Sequence, residues 1–168
     1  MKNTKTYENF PFWMVLSVNL FAILIYAMGA FVLSGFGIMV PLLYLLFCIF
    51  IEVRVLKISC IDCYYYGKFC CFGKGKLSSL FFKKGDPKRF LEKKITWISI
   101  LPDFFVAIFP IVGGIVLLIR DFNYILLSVL MILVVLFFGG TGFFRGSLAC
   151  KYCRQREIGC PAEQLFNK

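Results

Sequence analysis

The feature that most constrains this chain is a run of 42 residues without a charged side chain, from Phe10 to Ile51. One helix of that length would be about 63 Å long at about 1.5 Å per residue, whereas the hydrocarbon core of a bilayer is about 30 Å thick. The run therefore predicts two membrane helices joined by a turn. Glycine permits turn conformations, so we place the turn at Ser34–Gly37 and expect helices over residues 11–33 and 37–56.

A second apolar run covers residues 95–144 and is interrupted by the charged pair Arg120-Asp121. It predicts helices over residues 95–119 and 122–144. The chain is 60% apolar and only 17% charged, with a mean hydropathy of +0.83, and soluble proteins average about 25% charged residues. These values exclude a disordered chain, a secreted disulfide scaffold and an ordinary soluble domain. We expect an all-α membrane protein with four transmembrane helices.

The positions of the cations predict the topology. Of 19 lysines and arginines, only Arg120 lies in a predicted hairpin turn. Because cytoplasmic loops carry an excess of Lys and Arg, we expect an integral protein of the cell membrane with both termini in the cytoplasm. The predicted segments are a first transmembrane hairpin at 1–57, a cytoplasmic basic, cysteine-rich connector at 58–94, a second transmembrane hairpin at 95–144 and a cytoplasmic cysteine-rich tail at 145–168.

The net charge of +10 is concentrated in the connector, at residues 68–94. Cations near a membrane surface attract anionic lipid headgroups, at about 1 kcal/mol each, so we expect contact with such headgroups. The same surface could dock an acidic protein partner at the cytoplasmic face. Nucleic acid is the less favoured partner, because no recognition helix accompanies the basic residues.

Cysteine spacing is the most informative pattern in the chain. Cys48 lies within the second predicted helix and is interpreted as a core residue. Six of the other seven cysteines form two copies of C-x2-C-x6-C, and corresponding members are 90 positions apart. These six are Cys60, Cys63, Cys70, Cys150, Cys153 and Cys160. The pattern predicts a parallel repeat of hairpin plus cysteine finger, whose pseudo-twofold axis along the membrane normal would bring the fingers together.

The cysteines predict metal or redox chemistry rather than disulfides, because the cytoplasm is reducing. Two thiolates separated by two residues can reach one ion, and structural zinc takes four such ligands. The chain has no histidine, and thiolate-only sites favour zinc, iron–sulfur clusters or copper(I). We expect one or two cysteine-ligated zinc ions, with Cys71 as a possible extra ligand.

The doubled spacing resembles the ligand pattern of the fungal Zn2Cys6 transcription-factor module, and residues 150–160, CKYCRQREIGC, are similar to its basic first half. The resemblance implies that six cysteines hold two zinc ions, with Cys60 and Cys150 as bridging ligands. Here 79 residues, with two predicted membrane helices, separate Cys70 from Cys150. The ligand geometry is therefore carried over as an expectation, and the DNA-binding role is not.

Other chemistries remain open for these cysteines. A [4Fe-4S] cluster would use four of them, and Cys160-Pro161 resembles the Cys-Pro of ferredoxins, although the C-x2-C-x2-C core is absent. A transient heavy-metal site or a redox dithiol is a further alternative. Reversible palmitoylation of Cys70 and Cys71 would require no metal.

Two polar residues lie within the predicted membrane helices. Asp103 is eight positions after Ile95, and Asn19 is eight positions after Pro11. Acids within membranes are costly and often functional. Asp103 therefore predicts either a proton or cation site or a structural hydrogen bond, with Asn19 or a hydroxyl group as its partner.

Catalytic patterns are missing from the sequence, which has neither a histidine nor a glycine-rich phosphate loop after a strand. We therefore favour a non-enzymatic protein, an accessory or scaffold subunit that uses the metal site and presents a basic surface to a partner in a membrane complex. The alternatives are an iron–sulfur electron-transfer subunit and a transporter or handling protein for soft metal ions.

Overall fold

The computed structural model describes residues 6–92 and 97–160, and every regular element in these ranges is a helix. The α-helices, in chain order, are α1 (Phe12–Leu33), α2 (Met39–Val55), α3 (Lys74–Phe81), α4 (Pro87–Glu92), α5 (Trp97–Arg120), α6 (Tyr124–Val135), α7 (Thr141–Phe143) and α8 (Gln155–Ile158).

Two of these helices continue as wider, π-helical turns. After α2 the chain forms a π-helical segment at Leu56–Cys60, and on each side of α7 lie the π-helical segments Leu136–Gly140 and Phe144–Ala149. A short 3-10 turn, Cys150–Tyr152, ends the second of these long helices. Residue 144, the predicted end of the fourth membrane helix, therefore lies within a helix that continues to residue 152.

Within the described residues, four helices are long and apolar enough to cross a membrane, which agrees with the predicted number and is consistent with an integral membrane protein. Their spans are Phe12–Phe36, Met39–Cys60, Leu101–Arg120 and Tyr124–Tyr152. Large apolar side chains on them are exposed, for example Ile119 at 80% and Phe12 at 75%. Lipid would cover such side chains in a membrane, whereas a soluble protein rarely exposes so many.

The two hairpin turns lie where the sequence predicts them. A 3-10 turn at Ser34–Phe36 leads to Gly37, whose φ of 100° favours glycine over any other residue. In the second hairpin α5 ends at Arg120, and the Asn123 side chain accepts a hydrogen bond of 2.8 Å from the Ile125 amide. This contact caps the first turn of α6.

The described residues form two compact units. The bundle unit comprises residues 21–52 and 97–141, and the cysteine unit comprises residues 6–20, 53–92 and 142–160. All six cysteines of the doubled motif, together with Cys71, belong to the cysteine unit.

Helices approach one another closely in the bundle unit at Gly114. A methyl group at this position would lie 2.9 Å from carbons of both Val32 and Leu130.

A core cluster of the bundle unit contains Tyr44, Cys48 and Val106. The Tyr44 hydroxyl donates a hydrogen bond of 2.9 Å to the Val106 carbonyl, and Cys48 is buried beside them. Cys48 is therefore a core residue, as predicted.

The core of the cysteine unit combines distant parts of the chain. Its buried members are Phe10, Met14, Val15, Val18, Tyr65, Cys71 and Ala149. The Phe10 amide donates to the Phe69 carbonyl at 2.9 Å. In the same unit, the Ser78 hydroxyl of α3 donates to the Leu56 carbonyl at 3.3 Å and holds α3 against the π-helical segment that follows α2. The N-terminal segment and the connector thus pack as one body.

Candidate metal centre

The two C-x2-C turns have the same backbone hydrogen bonds. The Cys63 amide donates to the Cys60 carbonyl at 3.4 Å, and the Cys153 amide donates to the Cys150 carbonyl at 3.3 Å. The carbonyls of Cys63 and Cys153 then each accept an amide from the residue three positions later, at 3.0 and 3.2 Å. Each turn also follows directly on a helix that ends in π-helical or 3-10 geometry.

The two turns are joined by a reciprocal pair of hydrogen bonds. The Arg154 amide donates to the Tyr65 hydroxyl at 3.0 Å, and the Tyr64 amide donates to the Gln155 side-chain oxygen at 2.8 Å. Tyr64 and Arg154 are 90 positions apart, as are Tyr65 and Gln155. In each motif the amide directly after the second cysteine donates to the side chain two positions after the second cysteine of the other motif. A twofold axis produces contacts of this reciprocal form.

The side chains that make this exchange are buried, with Tyr65 at 1% and Gln155 at 5% exposure. The Tyr65 hydroxyl also donates to the Tyr7 carbonyl at 2.6 Å. The Tyr7 amide donates in turn to the Tyr152 carbonyl at 3.1 Å. Tyr7 and Cys153 pair as an isolated parallel β-bridge. The N-terminal segment thus lies across the paired turns.

Cys63 lies among other thiols. Burial raises its pKa to about 12, the backbone amide of Tyr65 at its sulfur lowers the pKa, and the nearby thiols of Cys153, Cys70 and Cys160 raise it further. The Cys63 thiol therefore stays protonated at neutral pH while no metal is bound.

Cys153, the counterpart of Cys63, has a similar environment. Burial raises its pKa to about 11, amides of Gln155 and Arg156 lower it, and the thiols of Cys160 and Cys150 raise it. In both motifs, therefore, the sulfur of the second cysteine is contacted by the backbone amide of the residue two positions later, Tyr65 or Gln155. Such amide donors stabilise a thiolate charge.

Cys70 and Cys71 differ in their surroundings. The Cys70 sulfur is half-buried and accepts the Gly75 amide at 3.4 Å. Cys71 is only 2% exposed within the core of the cysteine unit. Burial raises the Cys71 pKa to about 12, and the thiols of Cys70, Cys153 and Cys150 add to the effect. Palmitoylation of Cys71 would require its sulfur to leave this core.

None of the eight cysteines, all of which lie in the described ranges, forms a disulfide. Within residues 6–92 and 97–160, no three cysteine, aspartate or glutamate side chains lie together closely enough to hold a metal ion as they stand. Metal binding would therefore require the thiols to lose protons and turn toward a common centre.

The other two predicted site residues lie in different units. The Asn19 amide donates to the carbonyls of Val15 at 2.7 Å and Phe72 at 3.3 Å, so it ties α1 to the connector within the cysteine unit. Asp103 lies half-buried in α5 of the bundle unit. A hydrogen bond between Asp103 and Asn19 stays a prediction.

Three residues of the described structure were not singled out by their sequence patterns. Tyr65 and Gln155 occupy corresponding positions in the two motifs, and the offset of 90 could have indicated them. Glu52 accepts a hydrogen bond of 2.6 Å from the Tyr26 hydroxyl in the bundle unit. It directly follows the charge-free run and lies within the predicted second helix, and no local pattern in the sequence pairs it with α1.

Comparison with known proteins adds no assignment, since no protein-family model, curated protein or solved structure matches this chain.

Proposed function

We propose that this chain is a non-enzymatic integral membrane protein that binds a metal ion through its two cysteine motifs, with zinc as the favoured metal. The observation that carries the proposal is the reciprocal exchange between the two turns, in which Tyr65 and Gln155 each accept an amide from the opposite motif. Two C-x2-C-x6-C motifs held together in this way bring six cysteines into one unit, and a structural zinc ion takes four thiolates.

We further propose that the chain contains two copies of one unit, a helical hairpin followed by a cysteine finger. The constant offset of 90 and the matching hydrogen bonds of the two turns support this repeat. The distribution of Lys and Arg supports a cytoplasmic position for both fingers and both termini.

The role that fits such a protein is an accessory or scaffold subunit of a membrane complex. Several cations of the connector are exposed, namely Lys76, Lys83, Lys84, Lys88 and Arg89. Leu80 and Phe81 of α3 are exposed beside them, each at 71%. Apolar side chains flanked by lysines suit a surface that meets anionic headgroups or an acidic protein partner.

Metal analysis of the protein, purified without oxygen in detergent, tests this function. The proposal predicts a colourless protein with stoichiometric zinc. Brown absorbance from thiolate-bound iron would instead support an iron–sulfur electron-transfer subunit. Metal that is readily lost and regained would support a soft-metal transporter or handling protein. Protein that carries no metal after expression with supplied zinc and iron, and that takes up neither these metals nor copper(I) when they are added back, would refute all three.

A further inference from the structure

We propose that a single metal ion is held by the second and third cysteines of both motifs, which are Cys63, Cys70, Cys153 and Cys160. This assignment rests on the proposed function and makes it more specific. It differs from the two-ion arrangement in which Cys60 and Cys150 bridge the metals.

The reciprocal exchange determines where the second cysteines lie. The amides that cross between the motifs belong to Tyr64 and Arg154, and each directly follows the second cysteine of its own motif. Consecutive Cα atoms are about 3.8 Å apart. Cys63 and Cys153 must therefore both lie beside the place where the two segments meet, one from each side.

The Gln155 side chain connects Cys160 to the same place. Its oxygen accepts the Tyr64 amide at 2.8 Å, and its nitrogen donates to the Gly159 carbonyl at 3.0 Å. Tyr64 follows Cys63, and Gly159 precedes Cys160. One buried amide group thus holds the residues next to two thiols from different motifs, and the Cys63 sulfur itself lies 3.8 Å from the Gln155 oxygen.

Cys70 reaches the site through the loop between Tyr65 and α3. The Lys68 amide donates to the Tyr65 carbonyl at 2.9 Å, and the Gly67 amide donates to the Gly75 carbonyl at 3.0 Å. These bonds fold the loop back on the first turn, while the Gly75 amide contacts the Cys70 sulfur. The Cys70 thiol is also one of the thiols that lie near Cys63.

The surroundings suit the charge of such a site. A divalent ion with four thiolates carries a net charge of about −2, which amide donors and nearby cations stabilise. Three of the four sulfurs have backbone amides directed at them, those of Cys63, Cys70 and Cys153. The Lys68 ammonium and the Arg154 guanidinium lie 4.4 and 5.6 Å from the centre of the Tyr64 ring, beside the same turn.

The test uses the full chain in detergent, stripped of metal and reloaded with Co(II) or Zn(II). The wild-type protein should bind one ion per chain, and the cobalt–thiolate charge-transfer intensity should correspond to four sulfur ligands. Cys63→Ser, Cys70→Ser, Cys153→Ser and Cys160→Ser should each lower the affinity at least tenfold, as measured by competition with a chelator. Cys60→Ser and Cys150→Ser are the matched controls and should keep the wild-type affinity.

The outcomes separate this assignment from the function on which it rests. A wild-type protein that binds no metal overturns both. Two ions per chain, or loss of the ion in Cys60→Ser or Cys150→Ser, overturns the assignment and leaves metal binding intact. The ligand count from the wild-type cobalt spectrum holds even if a variant fails to fold, and a count below four sulfurs would also refute the assignment.

Discussion

The Tyr65 hydroxyl joins three segments of the cysteine unit at the scale of a single residue. It donates to the Tyr7 carbonyl at 2.6 Å and accepts the Arg154 amide at 3.0 Å. Its ring lies 5.7 Å from the Phe10 ring and 5.2 Å from the Tyr64 ring. A residue at this position must therefore supply both an aromatic ring and a group that can donate and accept at its tip.

Tyr65→Phe should destabilise the cysteine unit without disturbing its packing. The ring remains, but the Tyr7 carbonyl and the Arg154 amide lose a partner, at a cost of about 1–3 kcal/mol for buried groups. Thermal unfolding and limited proteolysis of the connector, both in detergent, measure the effect.

The matched control for this change is Tyr66→Phe. In the wild-type protein the Tyr66 hydroxyl donates to the Phe82 carbonyl at 2.7 Å, within the connector. Tyr65→Phe should also weaken metal binding, because it removes one hydrogen bond of the exchange between motifs. Tyr66→Phe should weaken metal binding less, because the Tyr66 hydroxyl takes no part in that exchange. Equal metal affinities for the two variants would contradict the role given to Tyr65.

The raised thiol pKa values predict how the stability of the metal-free protein depends on pH. The pKa of Cys63 is about 12 in the folded chain, against an ordinary value of 9.0. Between these values the folded form binds more protons than the unfolded form, so stability is retained below about pH 9 and decreases as pH rises toward 12.

Denaturation of the metal-free protein at pH 7 and pH 10 measures this dependence. Wild type should lose more stability over that interval than Cys63→Ser, which has no thiol to titrate at this position. Parallel losses in the two proteins would show that burial of Cys63 does not contribute to the pH dependence.

The sequence predicts metal-binding roles for six cysteines, which stay predictions, but it does not indicate how their segments are held together. The offset of 90 is visible in any reading of the chain, because identical residues recur at identical spacing. Tyr65 and Gln155 both accept an amide from the opposite motif but have different side chains, so the sequence at that position does not indicate the proposed repeat. The contribution of Tyr7 depends on a contact between residues 58 positions apart, which no local pattern encodes.

At the scale of helices and turns, the sequence predicted the positions of the two hairpin turns better than the end of the fourth membrane helix. Gly37 and Arg120-Asp121 mark the turns because positive φ and charge are local properties. Arg145 and Gly146 also look like a boundary, yet the helix continues through them to residue 152. Helical backbone bonds are satisfied within the segment itself, and no proline interrupts this stretch.

The docking of α3 depends on the absence of a side chain at Gly75. A methyl group there would come within 2.7 Å of the Lys68 carbonyl oxygen and even closer to that of Tyr65. Because the obstacle is backbone, Gly75→Ala should destabilise the cysteine unit by about 1–3 kcal/mol. Proteolysis of the connector and thermal unfolding would reveal the loss.

Gly146→Ala is the comparison for this change, since a methyl group at Gly146 meets no atom within 4 Å. It should be neutral or slightly stabilising, as alanine favours a helix more than glycine does. A Gly75→Ala protein as stable as Gly146→Ala would show that α3 does not need this close approach.

At the scale of the whole molecule, charge and hydropathy account for four membrane helices and predict their orientation. The helices follow from hydropathy and length, which are summed properties and tolerate errors at individual residues. Division into a bundle unit and a cysteine unit depends on contacts between distant segments, such as Phe10 with Phe69. This division could not be derived from a linear reading of the chain.

Thiol labelling of intact cells tests the orientation. A membrane-impermeant reagent should not label the wild-type protein from outside, because all seven cysteines beyond Cys48 are predicted to be cytoplasmic. Asp121→Cys, at an exposed position of a predicted outer turn, should become labelled. Permeabilised and denatured cells provide the control for reactivity. Labelling of wild-type Cys63 or Cys153 in intact cells would invert the predicted topology.

The central claim is that the two cysteine motifs bind a metal together, and metal content tests it most directly. Wild type, Cys153→Ser and Cys48→Ser would be purified in parallel and their zinc per chain measured. Cys48 is buried in the bundle unit, so Cys48→Ser should match wild type. Cys153→Ser should retain inserted helices but no metal, because a structural zinc site depends on its full set of thiolates. Equal zinc in wild type and Cys153→Ser would contradict the account.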